Sequence, residues 1–213
     1  MKDVERIADD AYLIKQPMRE DWYVGLLVFK GTGKIGLVDS GYEKTPNEYI
    51  FPLIKELGRS LDDIDYLVNT HRDGDHIQGN RAIRNNTKAK IAAHELEVEA
   101  IQDVDIRLKD GNTVQLGDRR FEVIHTPGHR PEAICLYESK NRVLISGDAV
   151  CGERSDLIRM DKGIYIASLK KLLDLDVSLL IMGHPFKPLV KAVLTGNEPR
   201  RMLEASISIA EKK

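Results

Sequence analysis

The segment Thr70-His71-Arg72-Asp73-Gly74-Asp75-His76 packs four potential metal ligands into six residues, and single candidates follow at His129, Asp148 and His184. That density constrains the fold, because ligands distant in sequence must be carried to one place by a rigid scaffold. A hydrolytic two-metal centre needs nitrogen and hard oxygen donors at both ions, one bridging carboxylate and an open position for water. This chain can supply His71, Asp73, His129, Asp75, His76 and His184, with Asp148 as the bridge. A polar loop exposed to solvent is the plain alternative for the first segment alone. It does not account for the motifs downstream.

Those motifs are His125-Thr126-Pro127-Gly128-His129, Ser146-Gly147-Asp148 and Met182-Gly183-His184-Pro185. Each follows a short apolar, β-rich run: Phe121 to Ile124, Val143 to Ile145 and Leu179 to Met182, with Tyr66-Leu67-Val68 ahead of the first cluster. Strand tips are where a sheet presents side chains rigidly. Upstream, Ala11 to Lys15, Trp22 to Lys30 and Ile35 to Asp39 read as strands, the last two joined by the hairpin-like Gly31-Thr32-Gly33. Ile50, Leu53, Ile54 and Leu57 have the spacing of an amphipathic helix over Asn47 to Leu57. Further helices are expected from about Asn80, over His94 to Ile101, over Ile164 to Leu173, and from Glu198 onward.

Taken together, these motifs resemble the metallo-β-lactamase-fold superfamily, whose pattern runs His-x-His-x-Asp-His, then a Thr-Pro-Gly-His turn, then Asp, then His. Leu37-Val38-Asp39-Ser40-Gly41 is similar to that family's strand-ending Asp-Thr/Ser-Gly turn. The resemblance covers nearly the whole chain. It implies an α/β fold, a four-layer αββα sandwich, as one domain over residues 1–213, close to the stand-alone catalytic domain of glyoxalase-II-like enzymes. The variant motif is His-x-Asp-x-Asp-His, since Asp73 stands where the family has its second histidine.

The resemblance also implies the chemistry. Two divalent ions, zinc first with iron or manganese as alternatives, would share Asp148 and a hydroxide that attacks an ester, thioester, lactone or phosphoester bond, with Asp75 orienting the nucleophile. Asp39 and His125 would steady the ligand loops by hydrogen bonds from behind. Arg72 and Arg130 each adjoin a ligand and could bring a guanidinium to an anionic substrate group. Two readings from other classes compete: a mononuclear iron-dependent oxygenase of the persulfide dioxygenase type, and a non-catalytic metal-binding or sensor module.

Composition narrows the partners. Hydrophobic residues make up 42% of the 213, enough for a sizeable core, and the net charge of −2 gives no reason to expect nucleic acid. A small-molecule substrate is expected, with homo-oligomerisation compatible with the sequence. No run has the length of a membrane span, and the acid-bearing start Met1-Lys2-Asp3 lacks a leader's apolar stretch, which points to the cytoplasm. With 29 residues after His184, where glyoxalase II carries a glutathione-binding helical region, a glutathione thioester is not the expected substrate. Cys135 and Cys151 have no metal-binding spacing; Cys135 reads as a strand residue, Cys151 as a packing residue close to Asp148. His94, at the start of an expected surface helix, reads as solvated and outside the site.

Overall fold

Alternating and doubly apolar runs at the start of the chain build a β-meander of β1 (Val4–Ala8), β2 (Ala11–Arg19), β3 (Trp22–Lys30) and β4 (Ile35–Val38). The computed structural model describes residues 2–19, 21–97 and 104–213. The chain divides into two compact units, Met1–Leu108 with Val114–Arg120, and Lys109–Thr113 with Phe121–Lys213. Among the described residues, no helix is long and apolar enough to cross a membrane.

In the first unit β3 is buried on both faces: Val24, Leu26 and Val28 join the core cluster under the helices, while Leu27 and Phe29 are buried on the alternate face. Pro17 sits in β2 beyond the end of β1, where its missing N–H leaves no gap in a ladder. After β4 a helical turn at Pro46–Ile50 runs into α1 (Phe51–Glu56), whose Leu53 and Ile54 join Ile50 in the core as the sequence spacing requires. The chain then returns as β5 (Ile64–Val68), α2 (Gly74–Ile77), α3 (Asn80–Asn86), β6 (Lys90–His94) and β7 (Ile106–Leu108). β4 to β7 pair in parallel, completing a seven-stranded mixed sheet in sequence order.

The second sheet has six strands in the order β13-β12-β11-β10-β9-β8, formed by β8 (Thr113–Leu116), β9 (Arg119–His125), β10 (Ile134–Glu138), β11 (Val143–Gly147), β12 (Leu179–Met182) and β13 (Val193–Thr195). Between β11 and β12 the chain forms α4 (Lys162–Leu173), capped by Asp161, whose carboxylate accepts from Gly163 N at 2.8 Å. Tyr165, Leu169 and Leu172 line its buried stripe at helical spacing. The closing helix α5 (Glu198–Lys212) buries Met202, Leu203, Ser206 and Ala210.

One device recurs in both units. β4 and β5 run parallel in register Val38↔Val68, and the residues that follow are Asp39 on one strand and Asn69-Thr70-His71 on the other. β11 and β12 likewise run parallel in register Gly147↔Met182, followed by Asp148 and by Gly183-His184. The carboxyl ends of adjacent parallel strands are the usual place for a site in an α/β sheet, because rigid strands end there together and their loops diverge.

Two expectations are corrected. His94 does not open a surface helix: it closes β6, is 5% exposed, and is followed by a single turn at Glu95–Glu97. The run Lys90–His94 has no alternation because all but its first residue are buried, so its strand character is invisible to periodicity. The rest of the helix expected to Ile101 lies outside the described residues from position 98. At the end of β4, Asp39 leaves the strand with φ 59, so the strand stops at Val38.

Candidate metal centre

Asp39 is the hub of the first unit's ligand loops. It is a buried, non-glycine residue in the left-handed region, a placement that costs about 1 kcal/mol or more and persists where surrounding contacts over-determine it. Those contacts are explicit. Its Oδ1 accepts the Thr70 N–H at 2.8 Å, and its Oδ2 accepts both the Thr70 hydroxyl and His76 Nδ1 at 2.8 Å. Because the Thr70 hydroxyl proton goes to Asp39, Thr70 Oγ1 is left to accept from His71 Nδ1 at 3.0 Å. Both rings therefore carry their proton on Nδ1 and keep the Nε2 lone pair as the donor to a metal.

The loop after β5 brings its four ligand candidates together in pairs. His71 Nε2 lies 3.9 Å from Asp73 Oδ2, His76 Nε2 lies 3.9 Å from Asp75 Oδ2, and the two imidazole centroids are 4.1 Å apart. Asp73 sits at the start of α2, where its carbonyl accepts the His76 N–H at 2.9 Å. Beneath the loop is a polar lock: Ser40 Oγ donates to Asn80 Oδ1 at 2.7 Å, Asn80 Nδ2 to Asn69 Oδ1 at 2.7 Å, and Ser40 N to His76 O at 2.8 Å. Gly79 permits this approach, since a methyl group there would collide with the Ser40 carbonyl oxygen.

In the second unit the turn after β9 carries His129. Its Nδ1 donates to Leu157 O at 2.8 Å, which again leaves Nε2 for a ligand role, and Nε2 is 3.9 Å from Asp148 Oδ2. His184 Nε2 approaches the same oxygen at 3.6 Å, and its ring meets Phe186 edge-on at a 5.5 Å centroid distance. Gly128 fits because Tyr165 of α4 lies against it; a methyl group would run into the Tyr165 ring. His125 Nε2 donates to Pro131 O at 2.7 Å and so braces the loop that carries His129. Arg72 and Arg130 are both half-buried.

The donor chemistry fits divalent ions. Two donors bound to one ion at about 2.0–2.2 Å stand roughly 3–4 Å apart. All four imidazole–carboxylate separations, 3.9, 3.9, 3.9 and 3.6 Å, lie in that window and are too long for hydrogen bonds. Among the described residues, neither cysteine belongs to a candidate ligand group. Cys135 and Cys151 are fully buried, and burial pushes both thiols up to about 12. Cys151 Sγ is hydrogen-bonded to Tyr165 Oη at 3.0 Å.

Residues 23–184 match the family model described as the metallo-beta-lactamase superfamily. The chain belongs to this superfamily. It is 33% identical over 159 residues to the beta-lactamase-like protein 2 homolog of Caenorhabditis elegans, covering 72% of this chain and 53% of that protein. It is 30% identical over 125 residues to a hydroxyacylglutathione hydrolase of Mesorhizobium japonicum, covering 56% of this chain and 48% of that one. The chain thus spans about half the length of these curated relatives. A metallo-beta-lactamase family protein from Thermus thermophilus superposes with a TM-score of 0.79 at 20% identity, over 97% of this chain and 81% of that chain. At that identity the likeness carries the fold, which is the metallo-β-lactamase α/β fold expected from the motifs.

Several residues escape a motif reading. Thr70 has no signal beyond standing next to His71, and its link from Asp39 to the ring depends on a hydroxyl geometry that only the fold supplies. The Leu157 carbonyl is a backbone acceptor with no side-chain signature at all. His94 is the third: it closes β6, whose Ala92 pairs with Val68 at the end of β5, the strand that leads into the ligand loop.

Proposed function

We propose that this superfamily member is a metallo-hydrolase with a two-ion centre, in which His71, Asp73 and His129 hold one ion, Asp75, His76 and His184 the other, and Asp148 both. The observation that carries this reading is at Asp148, where one carboxylate oxygen has an imidazole Nε2 at 3.9 Å and another at 3.6 Å. A single oxygen flanked in this way is suited to bridging. Membership of the superfamily and the relative named hydroxyacylglutathione hydrolase support hydrolysis as the reaction class. The target is a small molecule with an ester, thioester, lactone or phosphoester bond.

When bound, a pair of divalent ions acidifies water towards a pKa of about 7 and polarises the substrate oxygen. The chain's own residues do the rest. Asp39 and Thr70 hold His71 and His76 in the tautomer that presents Nε2, so the ligands are ordered before any ion arrives. Asp75, with its carboxylate 18% exposed, accepts a hydrogen bond from the attacking water and directs its lone pair at the substrate. Arg72 and Arg130, next in sequence to His71 and His129, offer bidentate donors to an anionic part of the substrate. Neither cysteine enters, because a thiol pushed up to about 12 stays protonated at neutral pH.

The test is to strip the purified chain with chelator, restore it with zinc, manganese or iron(II), and follow p-nitrophenyl acetate, an acyl thioester, a γ-lactone and bis-p-nitrophenyl phosphate alongside an oxygen electrode. Hydrolysis of at least one compound is expected to vanish with chelation and return with metal. Oxygen uptake with a single iron per chain would replace this reading with an oxygenase. A tightly held ion without turnover would leave a binding module.

A further inference from the structure

His71 and His76 are backed by side chains, whereas His129 is backed by a main-chain carbonyl on the irregular stretch 151–161 between β11 and α4. That stretch contains one three-residue helical turn, Ser155–Leu157. Leu157 O accepts from His129 Nδ1 at 2.8 Å, and the Arg159 and Met160 amides both donate to Gly128 O at 3.0 Å. The ring and the peptide ahead of it therefore take their place from the same few residues. A carbonyl has no rotamer of its own, so its aim is the aim of the turn that carries it. This turn is closed by Leu157 N to Arg154 O at 3.0 Å and Ile158 N to Ser155 O at 3.2 Å, bonds of the poorer geometry that keeps such turns short.

Lys213, directly after α5, ties this turn down. Its Nζ donates to Ser155 O and to Ile158 O, the carbonyls on either side of Leu157. Resting on the reading that His129 is a ligand, we infer that Lys213 is a positioning residue for it. The ammonium clamps the turn, the turn aims Leu157 O, and Leu157 O keeps the proton on Nδ1 and the lone pair on Nε2. Bonds from an ammonium to carbonyls are charge-assisted and about twice as strong as neutral ones, so the two from Lys213 outweigh the two that close the turn. Nearby, Gly152 N donates to Ser206 Oγ of α5 at 2.8 Å, so the same helix holds the stretch at its start. The bidentate Arg154–Asp156 pair acts within the stretch and gives it no link to α5. The aim of a ligand histidine thus depends on an exposed lysine that touches neither the ring nor an ion.

The experiment uses the metal-free, nitrogen-15-labelled full chain, reading imidazole tautomers from long-range ring correlations and amide exchange residue by residue. Wild-type His129 is expected as a single tautomer with its proton on Nδ1. Lys213→Met keeps most of the stem and removes the ammonium. It should turn His129 into a mixture of tautomers and speed exchange of the Arg159 and Met160 amides by about tenfold or more, the sign of local opening. Lys213→Arg, which still donates to two carbonyls, should restore both. His71 and His76, backed by Thr70 and Asp39, serve as internal references and should not change. Zinc affinity of Lys213→Met, by competition with a chromogenic chelator, should fall by up to about tenfold, less than for loss of a direct ligand partner. Wild-type His129 tautomer and amide exchange in Lys213→Met would overturn the positioning role. So would equal changes at His71 and His76, which would mean a general loosening. A chain that binds no zinc would defeat the two-ion reading without altering these metal-free spectra, so the two failures are distinguishable.

Discussion

Asp148→Asn is expected to lower hydrolysis by roughly three orders of magnitude, because an amide cannot bridge two cations and several kcal/mol of charge stabilisation go with it. Metal content should drop as well, since this residue serves both ions in the proposed centre. The fold should survive. The turn at Asp148 is held by the Ala149 N to Ser146 O bond at 3.0 Å and by Gly183 N to Gly147 O at 2.8 Å, neither of which uses the carboxylate. Elemental analysis, circular dichroism and turnover on the best substrate of the panel decide it together. Wild-type turnover in folded Asp148→Asn would end the bridging role.

The second large effect concerns Asp39→Asn. The wild-type carboxylate accepts hydrogen bonds from the Thr70 amide, the Thr70 hydroxyl and His76 Nδ1. An asparagine has one oxygen, and its NH2 would face a donor wherever it is turned. His76 and Thr70 would then compete for a single acceptor, and the tautomers of His76 and His71 would no longer be fixed. Metal affinity should fall about 10–100-fold, the usual cost of losing a carboxylate that orients a ligand histidine. Competition with a chromogenic chelator measures it, with Asp118→Asn as the control: Asp118 holds the Thr32 turn at 2.7–2.8 Å and should leave affinity unchanged. Equal affinities in Asp39→Asn and wild type would refute the orienting role.

The candidate ligands are legible in the sequence because their types are rare in such density and because each follows a strand that periodicity or composition reveals. β3 and β12 have the bounds that their sequence suggests, since both are apolar runs bounded by turn residues. Strands such as β7 and β13, at three residues each, are too short to show a period. β6 hides for the opposite reason, because burial of four of its five residues erases alternation, and with it goes the correct placement of His94. What sequence does not supply is pairing. That Val38 lies beside Val68 and Gly147 beside Met182 follows from long-range register, and this register makes Asp39 the partner of Thr70 and His76. The recurrence of one parallel-strand device in both units is likewise a property of topology, carried by no residue motif.

Whether seven named side chains hold two divalent ions is tested most directly by anomalous diffraction from crystals of the manganese- or zinc-loaded chain, collected on both sides of the metal edge. Two peaks about 3.5–4 Å apart are expected, with His71, Asp73 and His129 around one, Asp75, His76 and His184 around the other, and Asp148 at both. A fully loaded crystal with a single peak, or with metal held by residues other than these seven, would contradict the two-ion centre.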